Sequence, residues 1–488
     1  MTTEEQAPYP GRWRALAVTL AAGFMSLLDV SIVNVALPAI QRGLPASAEG
    51  AQWVVSGYAL TFGLSLVAGG RLGDVLGRRR MFLLALTAFV LTSAAAGAAP
   101  NELLLVAARL AQGLAAGLLA PQNSGLIQEM FRGAERGRAF GMLGSTIGIA
   151  TAAGPVFGGL LISTFGEQTG WRWVFYVNVP IGVLALVLAM KLVPKPERKP
   201  ESVRARLDFV GAGLLGLTVL GVLLPLVQSE QGSTPLSWLP LPLAGLLGWL
   251  FLRWERRLIT RDRTPLLDVR LFTQAAGFTR GISLGTVYFC GFSGIWLVLS
   301  LFFQDGLGYS ALESGLSVTP FAVGSAVTAV VAGRLVTRWG RVITVTGLAL
   351  ISLGLGAGAV VLALTGGRQA GLALIVPLLV AGVGGGAVVS PNITLTLARV
   401  PTRMAGSAGG ALQTGQRIGT AVGTAVLAFA YRGTLTGTHG HYPIAATTAL
   451  LCSVGFMLAA MALAVLELRA NRGRHRSTTD AADELAHR

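Results

Sequence analysis

The sequence predicts an all-α polytopic membrane protein: two six-helix lobes plus two inserted helices, 14 transmembrane helices in all. Three observations carry that expectation. Apolar runs of about 20 residues, each long enough to cross a bilayer, alternate with short basic breaks along the chain. The basic residues fall almost entirely on one side of that alternation. A part of the first half also reappears in the second.

The runs lie at about 15–38, 52–70, 81–99, 103–128, 138–163, 173–193, 208–228, 237–254, 279–303, 313–333, 342–364, 371–397, 405–430 and 446–468. The first is too long for a secretory h-region of about 7–15 residues, so it is expected to stay as a span. With the N-terminus inside, only Arg42, Arg172, Arg368 and Arg432 fall in external loops, and Arg109 and Arg417 fall inside spans. The other 32 of 38 basic residues (38 less 4 less 2) sit at or near cytoplasmic ends. A wrong span count would scramble that asymmetry. Both termini are therefore expected in the cytoplasm, and the chain in the cytoplasmic membrane.

Composition agrees with the class. The chain is 53% hydrophobic and 12% charged, against about 25% charged in ordinary soluble domains. Its 65 glycines suit close helix packing. The net charge of +16 does not indicate nucleic acid, because the cations are spread through loops between spans. Cys290 and Cys452 lie in apolar runs and read as core residues.

The sharpest loop is Gly70 to Arg80, which holds four arginines, Asp74 and three glycines between two spans. A positive-inside hairpin explains the arginines, but not the acid or the spaced glycines. Gly333 to Arg341 matches Gly70 to Arg78 at five of nine positions, offset by 263 residues, without the acid. That offset carries span one onto span nine. The expected organisation is residues 1–195 as the first lobe, 196–274 as two inserted helices with flanking cytoplasmic linkers, 275–470 as the second lobe, and 471–488 as a disordered tail. Parallel six-helix repeats around a midplane site are a common plan for secondary transporters.

No enzyme motif is present, and no cofactor or metal is expected. His439 and His441 share an external loop without Cys or acid partners and read as solvated residues. No Gly-Lys-Ser/Thr phosphate loop occurs, so uphill transport would draw on an ion gradient. Ion coupling needs a titratable group within the membrane, where charge is costly and functional by default. Asp29 alone of 22 acids falls well inside a span; Glu129 and Glu467 lie near cytoplasmic ends, Asp305 and Glu313 at the external rim. At about 1.5 Å rise per residue, Asp29 on span one and Arg109 on the antiparallel span four reach the same depth. Burial disfavours a carboxylate and a neighbouring guanidinium favours it, so a pair that parts and meets makes a proton switch. The bland alternative is a static ion pair that fixes packing.

Arg417 lies near mid-depth in span thirteen beside Gln413 and Gln416, as cavity lining or as a helix–helix hydrogen-bonding group. Further cavity candidates are Asn34, Trp53, Tyr58, Phe62, Gln112, Tyr288, Phe292 and Trp296. Gly154, Pro155, Gly158 and Gly159 break the regularity of span five, as a gate near the lobe interface or as a packing kink. Gly70, Asp74, Gly77 and Arg78 are expected to latch the cytoplasmic face, with the N-terminus of a second-lobe helix as one possible partner.

These stretches together resemble the fourteen-helix drug–proton antiporters of the major facilitator superfamily, over nearly the whole chain. Gly70 to Arg80 is similar to the superfamily's loop between helices two and three. Leu28 to Pro38 resembles the helix-one signature of this branch, with Ser31 where Thr is usual. Arg109-Leu110-Ala111-Gln112-Gly113 resembles the helix-four motif linked to proton transfer, and Gly154-Pro155 with Gly158-Gly159 the helix-five antiporter motif. Trp171 to Gly182 is similar to another stretch of the branch. One departure is Val75, where the family is usually basic. The resemblance implies a major facilitator fold and proton-driven export of a small hydrophobic drug or antibiotic, by alternating access in a monomer with lipid, substrate and protons as its partners. A symporter of the same fold, or an exporter of a metabolite or lipid-like compound, is the alternative. A non-transporting membrane sensor is a third reading, though no loop is long enough for a signalling domain.

Overall fold

A chain rich in apolar runs must satisfy its backbone polar groups within each segment once in lipid, and the α-helix does so. The computed structural model describes residues 9–44, 47–166, 168–194, 208–228, 238–261, 263–275, 277–365 and 367–486, and among these it forms helices and no strands. In order they are α1 (Arg12–Gly43), α2 (Ala48–Leu76), α3 (Arg78–Gly97), α4 (Glu102–Met130), α5 (Gly133–Phe165), α6 (Gly170–Tyr176), α7 (Asn178–Leu192), α8 (Phe209–Gln228) and α9 (Pro240–Thr260). Then come α10 (Leu271–Gln274), α11 (Phe278–Leu301), α12 (Ala311–Trp339), α13 (Arg341–Leu364), α14 (Ala370–Ala373), α15 (Ile375–Leu397), α16 (Ala405–Gly437) and α17 (Tyr442–Ala486).

Every expected span coincides with a helix, two of them broken: span six is α6 plus α7, and span twelve is α14 plus α15. Length and composition support a smaller count than fourteen. Among the described residues eleven spans qualify outright, and α5, bent by 41° between Gly133–Thr151 and Val156–Phe165, makes a twelfth. The other two, α9 and α16, are diluted by Arg253, Glu255, Arg256 and Arg257 in one and by glycine, threonine and glutamine in the other. The last helix runs on to Ala486 through the stretch expected to be a disordered tail. The basic linker from Lys195 to Arg206 lies outside the described residues.

Local chemistry sets the helix ends. Ser47 and Asn101 cap α2 and α4 through Gly50 N–H and Leu104 N–H, and Ser310 with Glu313 forms a reciprocal capping box on α12. Gly77 adopts φ 93°, a left-handed conformation suited to glycine, and turns α2 directly into α3. Pro180 lies in the first turn of α7, where its missing N–H costs nothing, and the chain breaks just before it at Val177.

One apolar core lies among α1–α5, α7 and α8, takes in Phe251 of α9 and Phe278 of α11, and continues into Ile393 and Leu397 of α15 and Ala408 and Leu412 of α16, near the end of the bundle that carries Gly70–Arg80. A second core is confined to α11–α17. The two six-helix sets are thus joined at the basic end. There α2 meets α16 and α5 meets α12 backbone to backbone. A Cβ on Gly70 would lie 2.1 Å from Gly406 O, and one on Gly333 2.5 Å from Gly137 O. The repeated loop glycines therefore occupy equivalent places, each against a helix of the opposite set. The inserted α8 packs its Val219 and Leu223 on Leu60 of α2, with Ile418 and Ala421 of α16 alongside. It bridges both sets along one seam.

Close glycine contacts also build each set internally. A Cβ on Gly423 would fall 1.9 Å from Cys290 O on α11, whereas one on Gly433 would meet nothing within 4 Å. Gly423→Val is expected to destabilise by roughly 1–3 kcal/mol or more through overpacking, and Gly433→Val to be near neutral. Thermal unfolding in detergent micelles distinguishes them.

Candidate functional site

Asp29 is fully buried on α1, and three side chains from two other helices converge on it. Arg109 Nη1 donates to Asp29 Oδ2 at 2.6 Å, Gln112 Nε2 to Oδ1 at 3.0 Å, and Asn178 Nδ2 to Oδ1 at 2.9 Å. Arg109 and Gln112 are one turn apart on α4, so a three-residue spacing aims both at one carboxylate. Arg109 Nη1 also donates to Gln112 Oε1 at 2.8 Å, and Arg109 Nε to Val54 O on α2 at 2.9 Å. Its guanidinium carbon lies 4.2 Å from the Tyr58 ring centroid and 5.6 Å from that of Phe175. Asn178 Nδ2 donates further to Ser93 Oγ at 3.1 Å, and Ser93 Oγ donates to Phe175 O at 2.9 Å. A single carboxylate thus ties α1, α2, α3, α4 and α7 together.

Asn178 and Ser93 were not among the sequence candidates. Asn178 stands in the Trp171–Gly182 stretch, and its position at the break before Pro180 is the one local signal that it serves something other than helix continuity. Gln112, expected in the substrate cavity, belongs to the Asp29 cluster and is buried. Tyr58 lies beneath Arg109 and donates to Ser26 O at 3.3 Å. Phe62 is buried on α2 and covered by Arg417 of α16, whose guanidinium carbon is 4.2 Å from its ring centroid. Tyr288 is buried in the second set and stacks on Phe292, which continues through Trp296 to Phe321 as one aromatic cluster. Trp53 packs beside α8. Gln413, Gln416 and Arg417 are half-buried on α16, and Asn34 is exposed on α1. A cavity of about 310 Å³ lies at the basic end, lined by Gly133 and Arg136 with Val336, Thr337 and Thr394.

The span-five glycines lie within the first set. Gly154 and Gly158 face α1 within the first set, where a Cβ on Gly154 would meet Ser31 Oγ at 2.2 Å, and Ser31 Oγ donates to Thr151 O at 2.9 Å. Gly159 has open space around it. The motif lets α5 lie close on the helix that carries Asp29. It does not line the seam with the second set, and Pro155 sits in the same bent stretch.

At the basic end, Asp74 stands in the last turn of α2, where a carboxylate is disfavoured by its own helix dipole. Its partners explain the placement. Gly406 N–H donates to Asp74 Oδ1 at 3.0 Å, and Ser407 N–H and Oγ donate to Oδ2 at 2.9 and 2.8 Å. These groups form the N-terminus of α16, whose unpaired amides and positive dipole end favour an anion. Arg78 Nη2 donates to Asp74 at 3.2 Å and also to Thr402 O. The repeat site differs. Arg341 turns into its own set, donating to Asn392 Oδ1 at 2.7 Å and Glu467 Oε1 at 2.9 Å.

A model of the Major Facilitator Superfamily matches residues 19–424. The chain belongs to that superfamily. It is 38% identical over 438 residues to the probable actinorhodin transporter of Streptomyces coelicolor, covering 88% of this chain and 74% of that protein. It is 34% identical over 496 residues to the puromycin resistance protein pur8 of Streptomyces alboniger, covering 98% and 94% respectively. The multidrug resistance protein Stp of Mycobacterium tuberculosis is 33% identical, with coverage of 85% and 75%. The human organic anion transporter MFSD10 superposes with a TM-score of 0.67 at 16% identity, over 93% of this chain and 100% of that one. At that identity the likeness is one of fold, and it confirms the major facilitator architecture.

The cluster makes a direct prediction. Asp29→Ala leaves Arg109, 1% exposed, as an unpaired buried charge, and should cost about 3–5 kcal/mol. The double replacement Asp29→Leu with Arg109→Met should recover most of it. Thermal unfolding of the single and double variants in detergent measures both.

Proposed function

We propose that this superfamily transporter is a proton-driven exporter of a bulky, mostly apolar compound such as an antibiotic, of the fourteen-helix drug–proton antiporter type. It acts as a monomer in the cytoplasmic membrane with both termini inside. The observation that carries the reading is Asp29, a buried carboxylate held by Arg109, Gln112 and Asn178. The names of the relatives, a probable antibiotic transporter and two resistance proteins, support the substrate class.

Protonation of Asp29 removes the charge that answers Arg109. The ion pair becomes a hydrogen bond from a cation to a neutral carboxyl, and the two amides lose a charged acceptor, each a weaker contact than before. Because the carboxylate joins α1 directly to α4 and α7, its neutralisation loosens the packing of these three helices at one point. Arg109 then keeps Val54 O and the Tyr58 ring. In the exchange cycle, an external proton reaches Asp29 while the cavity opens outward, and substrate binding accompanies its release inside. The Asp74 contact with α16 closes the cytoplasmic face in the outward-facing state. Asp29 is committed to Arg109, while Arg417 remains on the lobe interface over Phe62. That balance suits neutral or anionic compounds better than dications.

In inverted vesicles energised by internal acidification, Asp29→Asn should abolish substrate-driven proton release, and an unchanged signal would sink the scheme. Asp74→Asn should instead slow turnover several-fold while substrate still elicits proton release, because the proton site is intact. Sensitive cells expressing the protein should retain less labelled antibiotic than controls. Greater retention would mean uptake and favour the symport alternative.

A further inference from the structure

The inserted helices hold a second buried acid that the Asp29 scheme leaves unused. Glu255 stands near the basic end of α9, one residue past the expected end of its span, and is fully buried. Among the described residues no donor meets either carboxylate oxygen at full hydrogen-bond geometry, and the backbone N–H groups of Leu266 and Leu267 approach it more loosely. Its neighbour is Asp208, at the N-terminus of α8 and 9% exposed.

The two acids differ in what surrounds them. Asp208 caps α8, accepting from Gly211 N–H at 2.8 Å, and Trp254 Nε1 donates to both its oxygens at 3.0 Å. A helix N-terminus and two donors thus answer Asp208. Glu255 has only the looser approach of the Leu266 and Leu267 backbone. Gly211 gives the pair its room: a Cβ there would lie 2.1 Å from Asp208 Oδ2 and 2.7 Å from Glu255 Oε1. The described cations around Glu255 are exposed or paired elsewhere. Arg253, Arg256 and Arg257 on its own helix are exposed. In the segment that follows, Arg263 is exposed and Asp268 is paired with Arg270 at 2.8 Å. Two charged carboxylates cannot donate to each other, whereas one proton supplies the missing donor and removes the repulsion.

We propose that Asp208 and Glu255 form a second proton-binding site, in which Glu255 carries the proton and donates it to Asp208, clamping the basic end of α8 to α9. Burial first, and the Asp208 charge second, push the Glu255 carboxyl up to about 8. The nearby backbone of Leu266 and Leu267 offsets a part of that rise. A carboxyl raised on folding contributes stability that is complete below its ordinary range and is lost as pH climbs to about 8. The clamp therefore weakens on the alkaline side of neutrality. Since α8 lies along α2 and α16 together, its anchoring bears on the seam between the lobes. The site is separate from Asp29 and does not rest on the export reading.

The test is infrared difference spectroscopy on the full chain in lipid nanodiscs, titrated from about pH 6 to 10 around the midpoint expected of such a buried pair. A protonated-carboxyl band should fade with a midpoint near 8. It should persist in Asp29→Asn and vanish in Glu255→Gln. Asp208→Asn should move the midpoint down by about one pH unit through loss of the neighbouring charge. An identical titration in Glu255→Gln, or an unmoved midpoint in Asp208→Asn, overturns the proposal. If Glu255→Gln fails to fold, the Asp208→Asn midpoint decides alone.

Discussion

A charge inside an apolar bundle has to be answered within hydrogen-bond distance, and that constraint organises this molecule. Asp29 is answered by a guanidinium and two amides drawn from α4 and α7. Asp74 is answered by the amides that open α16, and Arg341 by Glu467 and Asn392. In each case the partner comes from a different helix, so the electrostatic requirement fixes which helices are neighbours. Burying such pairs gains little net stability over apolar packing, because desolvation consumes most of the Coulomb energy. What they confer is dependence. A change in one group's charge alters the contacts of several helices together, as a transporter must arrange.

The sequence made the helices and the Asp29–Arg109 pairing legible for a simple reason. Apolar runs and basic breaks are local, and two antiparallel spans place Asp29 and Arg109 at one depth by counting residues. The faces of those helices were far less legible. Most spans are apolar all round, so the side that meets a neighbour carries no compositional mark. Tyr58 and Tyr288 therefore read as cavity aromatics although both are buried within their lobes. Gly154 and Gly158 read equally as an interlobe gate or a packing kink, and they lie against α1. Asn178 was invisible for another reason. It is 149 residues from Asp29, and neither periodicity nor spacing links them. The capping role at α16 was half visible, since an acid in the last turn of α2 is misplaced for its own helix and so points to another's.

The partial repeat shows how far the two halves have kept a common plan. Gly70 and Gly333 hold corresponding places, each pressed on the backbone of a helix in the other lobe. Glycine is required there because any Cβ would drive the backbones apart. Arg78 and Arg341 follow at the same offset, and both are buried. The divergence lies between them, where Thr337 replaces Asp74. Without the acid, Arg341 has no partner at the loop and takes Glu467 from the last helix of its own lobe.

The consequence is that the two seams between the lobes differ in kind. Along α5 and α12, the contact is close packing of Gly137 and Gly141 on Gly333. Such contact is short-ranged and carries no directed bond to a charge. Along α2 and α16, a carboxylate receives three directed hydrogen bonds and Arg78 reaches Thr402 O. The inserted α8 lies along the same pair of helices. Directed bonds to a charged acceptor are shorter and stronger than neutral ones, and they break over a small displacement. A relative rotation of the lobes that opens the basic end must therefore break its strongest contacts on the α2–α16 side. On the α5–α12 side the described contact is close packing alone. The acid missing from the second loop makes the molecule asymmetric about its own repeat axis, and it places the energetic threshold for opening on one seam.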